Sequence, residues 1–133
     1  MKGSPKAIDR DQQYLDDAIA YLEGNMIQYP QNQYYPVAKE KWQEARRRVG
    51  RRELYVGRFY YKTGEYLAAL PRLQGVIDHY ADIGLDEKAT YYLGRTYLKL
   101  SQKDKAFGAL DTLTKRYPAG RYRKKLARRL GLS

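Results

Sequence analysis

The sequence predicts an all-α fold, a right-handed stack of about six antiparallel helices with an overlong second helix, and three observations carry the prediction. Two segments repeat one pattern: Val56-Gly57, Tyr60, Gly64, Ala69, Leu73 and Val76 are answered by Leu93-Gly94, Tyr97, Ala106, Leu110, Leu113 and Pro118. Gly57 and Gly94 set the period at 37 residues. A third, incomplete copy lies upstream, where Ala18, Leu22 and Pro30 keep the second-helix spacing with no first helix before them. Between the Pro and Gly breakers, apolar residues recur at helical intervals.

That period exceeds by three the roughly 34 residues of the L-G-x2-Y…A-x3-F…P spacing of a tetratricopeptide repeat. Each such repeat buries its apolar face only against its neighbours, and the array presents a surface to another polypeptide.

The whole chain reads as one helical-repeat domain over residues 1–133. Residues 1–9, opening Met-Lys-Gly-Ser-Pro, read as a linker remnant. Residues 10–30 form the second helix of the incomplete repeat, with Leu15, Ala18, Ile19, Leu22 and Met26 on one stripe and Tyr29-Pro30 as its stop. With its first-helix partner missing, this helix is expected to leave Tyr14, Leu15 and Met26 partly uncovered. A repeat over residues 36–80 follows. Pro36 suits the first turn of its long helix, and Ala38, Trp42, Ala45, Val49, Val56 and Tyr60 give one unbroken stripe, about 40 Å long at 1.5 Å per residue. Lys62-Thr63-Gly64 is the turn, with Gly supplying a left-handed cap. Pro71 is awkward in the next helix, because it removes a backbone bond at a cost of about 3 kcal/mol; a late start or a kink is expected there. Ala81 to Gly84 reads as an extended loop that lengthens the period. The second repeat spans 86–118, and a capping helix over 121–131 carries Tyr122, Leu126 and Leu130 on its apolar side.

Composition narrows the chemistry. The chain has no Cys, a single His (His79) and only Ser4, Ser101 and Ser133 as serines, which removes thiolate chemistry, Cys/His zinc sites and a serine triad. Asp16-Asp17 face different directions, and Glu40/Glu44 sit among cations as a surface ladder. His79 reads as a cation at a helix C-terminus. The reading is a non-enzymatic protein with no cofactor and no metal.

The net charge of +11 is uneven: no acid follows Asp111, while Lys115, Arg116, Arg121, Arg123, Lys124, Lys125, Arg128 and Arg129 do. A second concentration is Arg46-Arg47-Arg48 with Arg51-Arg52. These could neutralise phosphates, but no nucleic-acid motif accompanies them, so a solvated face is favoured and no nucleic acid is expected. Of the fifteen tyrosines, Tyr60 and Tyr97 match packing positions of the repeat, whereas Tyr61 and Tyr92 point elsewhere and read as candidates for a partner surface.

Four groups of residues carry a resemblance more specific than the repeat. They are Asp9-Arg10-Asp11 opening the lone helix; Tyr29-Pro30 with Gln33-Tyr34 and Ala38; the Arg-rich long helix ending in Glu53-Leu54-Tyr55-Val56 and Phe59-Tyr60-Tyr61; and Gly64, Tyr66, Ala69 and Arg72-Leu73. From about Ile8 to Pro118 the chain resembles the C-terminal half of the BamD (YfiO-type) outer-membrane assembly lipoproteins. The resemblance implies a scaffold of the machinery that folds β-barrel proteins into the outer membrane, at its periplasmic face. It implies docking, through the C-terminal repeats, of the BamA POTRA domain nearest the barrel, alongside other Bam subunits. Family members are held to the membrane by a lipidated N-terminal Cys and carry earlier repeats that recognise substrate. This chain has neither, as expected of a piece of a longer protein, so any membrane contact would come only through an anchor absent here.

Arg72 matches the family's arginine that pairs with a POTRA carboxylate. The implied partner-binding set is Arg72 with Tyr61, Lys62, Tyr66 and Gln74. In the free chain Arg72 is expected to be largely exposed or loosely paired, and an Arg72→Glu exchange to change stability by no more than about 0.5 kcal/mol. Two alternatives stay open: a generic tetratricopeptide module holding an extended peptide, and a basic RNA-binding accessory.

Overall fold

Proline and glycine set most of the helix boundaries. The structure, a computed structural model, describes the backbone of residues 5–132 and the side chains of residues 13–132. Its elements are α1 (Pro5–Gln28), α2 (Tyr35–Lys62), α3 (Tyr66–His79), a 3-10 turn (Ala81–Ile83), α4 (Asp86–Lys99), α5 (Lys103–Arg116) and α6 (Arg121–Arg129), with no strand among the described residues. The fold is all-helical, as a tetratricopeptide-like stack requires. The backbone divides into two compact units, residues 1–52 and 53–133, and α2 runs unbroken through the boundary, Gly50 included.

Three local expectations are corrected. Helix α1 begins at Pro5 rather than at about residue 10, and the missing N–H of Pro5 belongs to the first turn and costs nothing. Residues 1–4 lie outside the described residues. Helix α3 does not start late, because Pro71 sits inside it. The carbonyl that Pro71 leaves without its helical donor belongs to Leu67, whose side chain is 73% exposed, so water can serve that oxygen. Ala81–Ile83 is a 3-10 turn rather than an extended loop, and Gly84, at φ 81°, closes it in the left-handed region.

In the first unit, the Trp42 indole N–H on α2 donates to Glu23 Oε2 on α1 at 2.8 Å, and the Arg46 guanidinium lies 5.2 Å over the same indole ring. Leu15 and Ala45 are buried and Met26 half-buried, whereas Tyr14 is 75% exposed. The uncovered flank expected of α1 is therefore real at Tyr14 but absent at Leu15. Tyr21, Tyr29, Tyr34 and Tyr35 line a hollow of about 290 Å³ where α1 turns into α2.

In the second unit, α3 packs on the end of α2 and on α4, and α5 and α6 close over α4. One core cluster joins Leu54, Tyr61, Ala69, Leu73, Val76, Ala89 and Leu93; the other joins Tyr91, Ala106, Ala109, Leu110, Leu113, Leu126, Ala127 and Leu130. The signature glycines make these clusters possible. A Cβ on Gly57 would stand 2.7 Å from Leu73 Cδ2, and one on Gly94 2.7 Å from Leu126 Cδ2. Asp86, 2% exposed at the start of α4, accepts the Tyr117 hydroxyl at 2.6 Å and pairs with Arg116 at 3.1 Å, tying that helix to the end of α5.

Candidate protein-interaction site

The turn after α2 is fixed by its own backbone. Gly64 adopts φ 82°, its N–H donates to Tyr61 O at 3.2 Å, and the Glu65 N–H donates to Tyr60 O at 2.8 Å. Thr63 Oγ1 donates back to Phe59 O at 3.0 Å. This holds Lys62, exposed at the last position of α2, against the negative end of the helix dipole.

Arg72 does not hang free. Its Nη1 donates to Glu53 Oε2 at 2.9 Å, and the two side chains are 28% and 13% exposed. The expectation of an exposed or loosely paired guanidinium is thus corrected: α3 runs back along α2, and the carboxylate one hairpin arm away reaches it. Part of the Arg72 side chain still meets the surface.

Tyr61 is also corrected. It is 8% exposed and belongs to the core. The C-terminal part of α2 meets two helices, α3 and α4, so it buries a second stripe through Leu54 and Tyr61 beside the motif stripe through Val56 and Tyr60. The ring of Tyr61 lies 5.8 Å from that of Tyr66, which is half-buried, and 5.8 Å from that of Tyr92. Gln74 is exposed, donates to Asp78 Oδ1 at 2.9 Å, and lines a hollow of about 340 Å³ with Ile77, Thr90 and Tyr97. Two residues along a helix turn it by about 200°, so Arg72 and Gln74 leave α3 on opposite sides. Of the implied set, the structure brings Tyr61 and Tyr66 together, joins Arg72 to Glu53, and sets Gln74 apart.

Sequence reasoning missed two residues. Arg58 and Arg95 follow Gly57 and Gly94, so they occupy one repeat position 37 residues apart. The Arg58 guanidinium lies 5.2 Å over Tyr92; that of Arg95 lies 5.0 Å over Tyr61 and 5.5 Å over Tyr91. Extending the repeated Val-Gly and Leu-Gly pairs by one residue would have found both. Among the described residues no group of His, Asp and Glu side chains is gathered as a metal site, and no helix is long and apolar enough to cross a membrane.

Comparison with known proteins identifies the family. The family described as "YfiO: Outer membrane lipoprotein" matches residues 2–106. The chain is similar to the outer membrane protein assembly factor BamD of Caulobacter vibrioides (strain ATCC 19089 / CIP 103742 / CB 15), 27% identical over 115 residues, covering 86% of this chain and 38% of that protein. It is similar also to BamD of Buchnera aphidicola subsp. Acyrthosiphon pisum (strain APS), 27% identical over 93 residues, covering 70% of this chain and 38% of that protein. The chain therefore spans about two fifths of the length of these curated relatives. No solved structure matches it significantly. With the family match running from α1 into α5, across the long α2 and the Arg72 hairpin, the chain belongs to the YfiO family of outer membrane lipoproteins.

Proposed function

We propose that this chain is a non-enzymatic scaffold of outer-membrane β-barrel assembly, working at the periplasmic face of that membrane, and that it docks the POTRA domain of BamA nearest the barrel through the α2–α3 hairpin. The observation that carries the reading is the family match over residues 2–106, which includes Arg72 and its hairpin. The geometry supports it in one respect. Glu53 holds the guanidinium of a partly exposed Arg72 side chain in place, so a partner carboxylate would meet an ordered cation rather than a mobile one. Lys62 and Tyr66 lie at the turn of the same hairpin; Tyr61 supports Tyr66 from the core, and Gln74 is at most peripheral.

The test must separate folding from docking, because Arg72→Glu sets two carboxylates against each other with Glu53 largely buried. That single exchange should destabilise the chain by about 1–3 kcal/mol, not leave it unchanged. The Glu53→Arg/Arg72→Glu charge swap should recover most of the melting temperature. Its affinity for the purified POTRA domain, measured by calorimetry, should still fall by about tenfold or more. A swap variant that folds and binds like the parent would make Arg72 a structural residue and place docking elsewhere.

A further inference from the structure

Five tyrosine rings form a continuous row across the second unit. From Tyr66 the row passes to Tyr61 at 5.8 Å, to Tyr92 at 5.8 Å, to Tyr91 at 5.1 Å and to Tyr122 at 5.1 Å, so it starts on α3 and then crosses α2, α4 and α6. Cations interleave it. Besides Arg58 and Arg95, Lys125 Nζ lies 5.3 Å over Tyr91 and 5.5 Å over Tyr122. Where the row reaches α6, Tyr91, Lys125, Arg128 and Arg129 line a hollow of about 350 Å³.

None of Arg58, Arg95, Lys125, Arg128 and Arg129 is paired with a carboxylate among the described residues, in contrast to Arg72 and Arg116. Arg58 Nε is buried and makes no hydrogen bond. A buried donor left unpaired is costly, and aromatic faces offset only part of that cost. The placement is written into the repeat, since Arg58 and Arg95 share one repeat position, and the sequence supplies no acid after Asp111 that could neutralise α6.

We propose that the face built by α2, α4 and α6 along this row takes an extended acidic segment of a partner protein, its Asp and Glu side chains meeting Arg95 and the Lys125–Arg128–Arg129 hollow. The site goes beyond the Arg72 docking: its row begins at Tyr66 and Tyr61 of that hairpin, but none of the cations that meet the acidic segment belongs to the docking set. Charge favours this occupant. A membrane surface would need apolar side chains free to insert, but Leu126, Ala127 and Leu130 of α6 are buried at 0%, 4% and 6% exposure. A single-stranded nucleic acid would need open ring faces for its bases, and here Tyr61 and Tyr91 are buried while cations lie over Tyr92 and Tyr122. What remains is a cationic strip along a row of tyrosines, suited to carboxylates on a narrow polypeptide.

The test uses the full chain and a fluorescent peptide of Glu and Asp alternating with Ser and Gly. Its controls are the same peptide with Gln and Asn, phosphatidylglycerol vesicles and a single-stranded RNA oligonucleotide. The acidic peptide should bind, and its amide counterpart should bind at least about tenfold more weakly. The exposed double variant Lys125→Glu/Arg128→Glu should lose about the same factor for the acidic peptide while melting no lower than the parent. Equal binding of the amide peptide, no binding of the acidic one, or preferential binding of vesicles or RNA would each overturn the proposal. The amide comparison needs no variant, so it stands even if the double variant folds poorly.

Discussion

Gly57 and Gly94 show how a repeat pattern becomes packing one atom at a time. Each stands where a later helix sends in a leucine, Leu73 on α3 and Leu126 on α6, both fully buried. The missing Cβ is the space those leucines occupy. Gly57→Ala would place a methyl carbon 2.7 Å from Leu73 Cδ2 and 2.8 Å from its Cγ, and the branch point of a buried leucine cannot swing away. The gain in helix propensity, about 1 kcal/mol, is therefore outweighed by overpacking. We expect Gly57→Ala and Gly94→Ala each to lower stability by about 1–3 kcal/mol, read as a lower urea midpoint at unchanged slope. At Gly108, where an added Cβ meets nothing within 4 Å, the same exchange should stabilise.

At the scale of elements, what could be read from the sequence depended on whether a helix had one neighbour or two. The unbroken α2, the turn at Gly64 and the buried Leu126 of α6 followed from stripes and breakers alone. The burial of Tyr61 did not, because a single stripe on α2 accounts for α3 and leaves α4 out. The pairing of Arg72 with Glu53 was equally hidden, since it joins residues 19 apart across a hairpin whose helix offset no local spacing reports. Asp86 is a third case: it looks like an acid at the start of a helix, yet it is buried and clamps α4 to the end of α5. Its effect has a testable pH dependence. The Tyr117 phenol is held above its ordinary value of 10.0, first because it donates to the Asp86 carboxylate and then because it is partly buried. A raised folded value means that this stabilisation is complete below pH 10 and fades as the pH climbs through the folded value. Tyr117→Phe should cost about 1–3 kcal/mol near neutrality. It should also remove the part of the alkaline loss of stability that this phenol contributes, seen as a flatter limb in melts taken at increasing pH.

Over the whole molecule the dominant quantity is charge. A net +11 on 133 residues leaves far more cations than the acids can pair, and α6 carries six of them in nine residues with no acid nearby in sequence. Two opposing effects follow from adding salt. Screening weakens ion pairs such as Arg72–Glu53 and Arg116–Asp86, but both include a carboxylate that is 13% exposed or less, and such pairs are screened little. Repulsion among exposed cations acts through solvent and is strongly reduced once the screening length falls to about 10 Å, near 0.1 M salt. Relief of self-repulsion should therefore outweigh the weakening of the pairs. The melting temperature should rise as sodium chloride is raised from a few millimolar to about 0.2 M, and rise less in Lys125→Glu/Arg128→Glu, which lowers the net charge by four. A melting temperature that falls with salt would mean that the buried pairs, rather than the crowd of surface cations, set the electrostatic balance of the fold.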